Sequence, residues 1–166
     1  MRKILVIGSG GAGKSTFAKR LGDTLKIEVI HLDQIYWKPN WVKTEKDEWE
    51  KIVEQLAARE SWIMDGNFGG TREMRIRACD TVIFLDIPRR ICLYRILKRL
   101  LLYHGKTRPD MAAGCVEKFD PEFILWVWKY PNRSRRAVFE ELEGSAEKNC
   151  IVLRSTSDAD AFLQSL

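Results

Sequence analysis

Residues 4–16 read Ile-Leu-Val-Ile-Gly-Ser-Gly-Gly-Ala-Gly-Lys-Ser-Thr, an apolar strand running straight into a glycine-rich turn. From Gly8 to Ser15 the spacing fits G-x-x-x-x-G-K-[ST]. Glycines leave backbone N–H groups bare, so the turn can cup an anion; Gly8, Gly10, Gly11, Ala12 and Gly13 form that cradle. Lys14 adds a point charge toward the outer phosphates of such a ligand, and the Ser15 hydroxyl suits Mg²⁺. The helix that follows, with Thr16 in its first turn, aims its positive end at the same spot. The segment predicts binding of a nucleoside triphosphate, with ATP and Mg²⁺ as cofactors.

A second fingerprint overlaps the first. Gly8, Gly10 and Gly13 also satisfy G-x-G-x-x-G, and Asp33 lies twenty residues beyond Gly13, where a dinucleotide fold places its ribose acid. A dinucleotide site has no task for Lys14 and Ser15, whereas a triphosphate site needs both. The basic second half of the chain also suits polyphosphate better. The triphosphate reading is preferred.

Outward from this turn, apolar runs alternate with helical patterns. Lys3–Ile7 reads as a first strand, and Ser15–Leu25 as a helix with Phe17, Leu21 and Leu25 on one stripe. Ile27–Leu32 reads as a second strand ending at Asp33. Thr44 is expected to cap a helix to about Arg59, with Trp49, Ile52, Val53 and Leu56 on one face. Trp62–Met64 is a short third strand ahead of Asp65-Gly66-Asn67, and Asp80–Asp86 a fourth. Pro88 suits the first position of a long helix to about Leu102, followed by a polar loop over 103–114. Helices are expected near 115–130 and 133–147, then a fifth strand over Asn149–Leu153 and a closing helix over Ser157–Leu166. This alternation predicts an α/β fold, a parallel sheet wrapped by helices on both faces. Functional groups should gather at the carboxyl ends of its strands, which offer the glycine turn, Asp33, Asp65 and Asp86.

With 166 residues, 45% of them hydrophobic, the chain reads as a single domain (1–166) with a sizeable core. No apolar run approaches the ~20 residues of a membrane span. No signal peptide is evident, and Cys79, Cys92, Cys115 and Cys150 are scattered with no C-x-x-C. Reduced thiols and a cytoplasmic location are therefore expected. The net charge of +5 favours anionic ligands without separating small phosphates from nucleic acid, for which no motif is present.

Phosphoryl transfer needs positioned cations, Mg²⁺ ligands and an acceptor pocket. Asp65, after an apolar strand and before a glycine, suits the Mg²⁺ shell, with helix capping or turn-making as its alternative task. Asp86 is either a helix cap before Pro88 or a metal group. Arg95 and Arg99 share one helix face with Lys98 beside them, opposite Leu93, Ile96, Leu97 and Leu100. Their helix leads into a loop carrying His104, Lys106 and Arg108. Arg133 and Arg136 form a second pair beyond that loop, and arginine suits the task because its planar fork grips phosphate oxygens in pairs. Trp37 and Trp41, with Tyr36, Trp126, Trp128 and Tyr130, suit the wall of an acceptor pocket or stacking on a base, with core packing as their alternative task.

These residues together resemble the adenylate-kinase-like P-loop kinases, and among them most the DNA topology modulation (FlaR-related) proteins. The resemblance covers essentially the whole chain. It is carried by residues 8–15, by His31-Leu-Asp-Gln-Ile-Tyr-Trp-Lys-Pro-Asn-Trp41, by Trp62-Ile-Met-Asp-Gly-Asn67, by Asp80–Pro88 and by Arg95-Ile-Leu-Lys-Arg99. It implies a three-layer fold with a five-stranded parallel sheet of order 2-3-1-4-5. It also implies an acceptor-binding region over about 33–60 and a short helical lid over about 99–132. Carried over by position, Lys14, Ser15 and Asp65 would hold ATP–Mg²⁺. Asp33 and Arg72 would face the acceptor, and Arg95, Arg99, Arg133 and Arg136 would clamp the transferring phosphate. Ser155 and Thr156 would lie near the adenine. Two departures from true adenylate kinases count against AMP as acceptor: Asp65-Gly66-Asn67-Phe68 stands where they carry Asp-Gly-Phe-Pro, and the lid is short.

The expected function is thus an ATP- and Mg²⁺-dependent kinase acting on a nucleotide or a small hydroxylated metabolite. An Asp33 that touches the acceptor suits a hydroxyl or amine better than a phosphate, which it would repel. The alternative is a nucleotide-binding regulator acting on DNA topology.

Overall fold

The computed structural model describes residues 1–108, 110–145 and 147–166. Its central sheet contains β1 (Lys3–Gly8), β2 (Val29–His31), β5 (Trp62–Asp65), β6 (Thr81–Leu85) and β7 (Asn149–Leu153). The strands pair in the order β2-β5-β1-β6-β7, all parallel, which is the 2-3-1-4-5 order the resemblance implied. A separate antiparallel hairpin, β3 (Trp37–Lys38) with β4 (Val42–Lys43), lies outside this sheet.

Strands β1, β5 and β6 are buried almost throughout, as expected of strands covered on both faces. Alternation divides their side chains between two cores. Leu5, Ile7, Met64 and Phe84 pack with α3 (Lys46–Ala58), α4 (Gly69–Ala78) and α7 (Ser134–Glu143). Ile4, Val6, Ile63 and Ile83 pack with α1 (Lys14–Leu25), α5 (Arg89–Tyr103) and α8 (Thr156–Gln164). Helix α6 (Pro121–Lys129) joins the second core through Val127.

Several local expectations need correction. Strand β2 stops at His31 because the chain turns directly into a short helix, α2 (Leu32–Tyr36). Thr44 does not cap α3: its hydroxyl donates to the Tyr36 carbonyl at 2.6 Å, tying the hairpin to α2. Helix α6 begins only at Pro121, where the Asp120 carboxylate accepts from the Phe123 N–H. Helix α4, unmarked by any clear apolar stripe, was not anticipated. On α5 the buried face is Cys92 and Ile96, whereas Leu97 is 49% exposed.

Candidate functional site

The carboxyl edge of the sheet opens into a cleft of about 720 Å³. Its floor is the glycine turn: Gly10, Gly11, Gly13, Lys14, Ser15 and Thr16 all line it. Gly13 sits at φ 93°, the left-handed region that glycine tolerates, and starts α1 from there. A side chain at Gly11 would place its Cβ 2.3 Å from the Cys92 carbonyl oxygen, so only glycine lets α5 come this close. The Lys14 ammonium donates to the Ser9 carbonyl at 3.1 Å.

The turn is held from β5 by a residue that sequence reasoning did not single out. Asn67 accepts from the Gly8 N–H at 3.1 Å and donates to the Gly8 carbonyl at 2.7 Å. Asn67 is held in turn by Arg75, which is fully buried in α4. The Arg75 guanidinium donates to the carbonyls of Gly66 (2.8 Å), Asn67 (2.6 Å) and Phe68 (2.8 Å), and to that of Thr71 at 3.3 Å. Burial, with the Arg72 charge nearby, pulls Arg75 down to about 9. It therefore stays protonated at neutral pH. Asn67→Ala should raise KM for ATP about tenfold or more with a smaller change in kcat, because the loss falls on the shape of the turn. Steady-state kinetics at saturating acceptor check this, and an unchanged KM would remove Asn67 from the positioning role.

One wall comes from the α2–hairpin stretch. Asp33 lines the cleft half-buried, and the Trp37 indole N–H donates to its Oδ1 at 3.3 Å. Burial pushes the Asp33 carboxyl up, against the lowering effects of the Lys14 ammonium and this hydrogen bond. Trp37 and Trp41 stand edge to face, ring centroids 5.5 Å apart, and both line the cleft. Asn40 and Trp41 lie at φ 63° and 61°, a left-handed pair that turns the hairpin toward the 104–120 connection. There the Trp41 indole N–H donates to the Val116 carbonyl at 2.9 Å, and the Asn40 N–H to that of Gly114 at 3.1 Å.

The opposite wall is cationic. Arg95 donates to the Ala12 carbonyl at 3.0 Å and to the Thr156 hydroxyl at 2.8 Å, fastening α5 to the turn and to α8. Arg99 and Arg108 converge on one buried carboxylate, Glu117, at 2.8 and 2.9 Å, and Asp110 meets Arg108 at 2.9 Å. Burial and the neighbouring Arg108 charge lower Arg99, which Glu117 opposes. Glu117 carried no sequence signal, since its partners are brought to it only by folding.

The remaining candidates lie elsewhere. Asp65 does not line the cleft: it is 4% exposed, its Oδ2 accepts from His31 Nδ1 at 2.9 Å, and its Oδ1 is buried with no partner among the described residues. That hydrogen bond lifts the His31 imidazole above its ordinary value, against burial. The resulting stability is complete below the ordinary value and fades as pH rises through the lifted one. Arg72 is taken up by Glu141 at 2.5 Å, away from the cleft. Arg136 pairs with Glu140 on the exposed face of α7, and Arg133 is exposed at the start of that helix; neither lines the cleft. The α7 arginine with a strand-end partner is Arg135, which grips Asp86 at 2.7 and 2.8 Å, so Asp86 neither caps α5 nor stands free for a metal. The Ser155 hydroxyl is used in the capping box of α8. Gly8 and Ala12 act through the backbone bonds already described.

No family model matches the chain. It is 29% identical over 163 residues to the "Uncharacterized protein YqaC" of Bacillus subtilis (strain 168), covering 95% of this chain and 89% of that one. It is 28% identical over 174 residues to a shikimate kinase of Francisella tularensis subsp. novicida (strain U112), with 93% of each covered. Among solved structures, the shikimate kinase from Acinetobacter baumannii in complex with shikimate aligns with a TM-score of 0.61 at 16% identity, covering 99% of this chain and 90% of that one. The deoxyadenosine kinase from M. mycoides with bound dATP aligns with a TM-score of 0.54 at 15% identity, covering 98% and 97%. The fold is that of the P-loop kinases. The narrower resemblance to DNA topology modulation proteins does not follow from these likenesses. Within this P-loop kinase fold, no helix among the described residues is long and apolar enough to cross a membrane.

Proposed function

We propose that the chain is an ATP- and Mg²⁺-dependent phosphotransferase that moves the γ-phosphoryl group to a hydroxyl of a small acceptor. The observation that carries this reading is the meeting, in one cleft, of the glycine turn and Lys14 with Asp33 on one wall and Arg95 and Arg99 on the other. The kinase names of the relatives support it.

The residues present fit the nucleotide and its metal. Gly10, Gly11, Gly13, Lys14 and Ser15 line the cleft together, and Asp65 keeps a buried Oδ1 without a partner among the described residues. The turn amides and Lys14 would hold the phosphates and Ser15 the metal, while Asp65, which does not line the cleft, would act from outside its direct shell. Bound there, ATP–Mg²⁺ supplies the activated phosphoryl group. Arg95 and Arg99 offset the charge that spreads over its oxygens. Asp33 has one oxygen on Trp37 and the other, Oδ2, without a hydrogen-bond partner among the described residues, placed to accept the acceptor's hydroxyl proton. Its raised affinity for protons makes it a better base than an ordinary carboxylate. The 110–120 stretch, seated on the Trp37–Trp41 hairpin, acts as the lid that keeps water out.

Lys14→Ala should lower kcat/KM by about 10²- to 10³-fold and weaken the heat of Mg-ATP binding. ADP release and calorimetry measure the two effects. Folded wild-type protein that gives no heat with Mg-ATP or Mg-GTP would refute the function.

A further inference from the structure

We propose that the acceptor is an uncharged alcohol carried on a ring, and that carboxylated and phosphorylated acceptors are turned away. This rests on the phosphotransfer reading above and narrows it.

The acceptor half of the cleft has one aromatic and apolar wall. Trp37 and Trp41 form an edge-to-face wall, and Phe68 and Met111 extend it. Indole faces of this kind hold the C–H face of a ring while leaving its hydroxyls to polar groups. The polar group they frame is Asp33, whose one hydrogen-bonding partner among the described residues is the Trp37 N–H; no ion pair reaches it. An acceptor phosphate or carboxylate beside it would bring a second negative charge into a half-buried place.

Of the cations that line the cleft, Lys14, Arg95 and Arg99 are the ones assigned above to the nucleotide and its transferring phosphate, and Arg99 and Arg108 already sit on carboxylates. Arg108 lies between Asp110 and Glu117, and Arg99 is on Glu117. Arg72, Arg135 and Arg136 are held by Glu141, Asp86 and Glu140, and none of the three lines the cleft. Lys43 and Lys118 also line the cleft, but both are exposed, and water weakens their pull. In the transfer, the acceptor oxygen forms the new bond to phosphorus as the bond to the ADP oxygen breaks. The hydroxyl proton passes to Asp33 Oδ2, and ADP leaves.

The test is ADP release with matched pairs: adenosine and AMP, deoxyadenosine and dAMP, glucose and glucuronate, with shikimate as a further anionic ring. We expect an uncharged member to turn over with kcat/KM about tenfold or more above its anionic twin. Trp37→Leu should then raise KM for that acceptor about tenfold and leave KM for ATP near the wild-type value. Preference for any anionic twin, or no turnover with any uncharged compound, overturns the inference. Calorimetry with Mg-ATP separates the two failures: heat of binding together with an anionic preference defeats the acceptor class alone, and no heat defeats the phosphotransfer reading beneath it.

Discussion

Asp33→Asn lowers kcat by roughly 10²- to 10⁴-fold, the range for loss of a general base, and at the same time makes the protein more stable at alkaline pH. Both effects come from one cause. Burial lifts the Asp33 carboxyl, so folding brings an ionised carboxylate into a place that disfavours its charge. Between the ordinary carboxylate value and the lifted one, the folded state binds more protons than the unfolded state. Stability therefore falls as pH rises through that window, and the full penalty is present above it. The asparagine still accepts the Trp37 hydrogen bond but carries no charge, so its advantage in melting temperature should be largest near pH 8 and vanish near pH 3. In wild type, the acid limb of kcat/KM should lie above the ordinary carboxylate range for the same reason. Wild-type kcat in Asp33→Asn would end the base assignment, and a lower melting temperature at pH 8 would end the account of its burial.

The second large effect falls on stability. Arg75→Leu leaves four backbone carbonyls without their donor in a fully buried place, and should cost about 3–5 kcal/mol. For a chain of this length that lowers the melting temperature by roughly 10 °C. Arg75→Lys keeps the charge but offers one nitrogen where three carbonyls are gathered, so it should recover only part of the loss. The surviving folded fraction of Arg75→Leu should also bind ATP less well, since the 66–68 turn presents Asn67 to Gly8. Denaturant titration with ATP affinity on the same samples checks both. A loss below about 1 kcal/mol would mean that water replaces the guanidinium, and the cage has no structural task.

The glycine turn was legible because its chemistry is local: the fitting spacing, the strand before it and the helix after it are all contiguous. The sheet order was legible through the resemblance, and the two-sided burial of the strands through their unbroken apolar runs. The aspartates were harder. Asp33 and Asp65 both follow apolar strands, and nothing nearby in sequence tells them apart. Because β2 ends at His31 and turns at once into α2, Asp33 reaches the cleft, while Asp65 stays in strand register beside His31. Arg75 gave no warning either, since an arginine on a helix with little apolar stripe reads as solvated.

Local rules thus determined where this chain places its glycine turn and which segments alternate as strand and helix. Both follow from backbone geometry and periodicity over a few residues. Only the tertiary structure decided which charges are free. Arg72 meets a glutamate 69 positions away and Arg135 an aspartate 49 positions away, while Arg99 and Arg108 share Glu117. Charge pairing depends on distance in space, and the fold sets that distance through long-range packing that no short window of sequence contains.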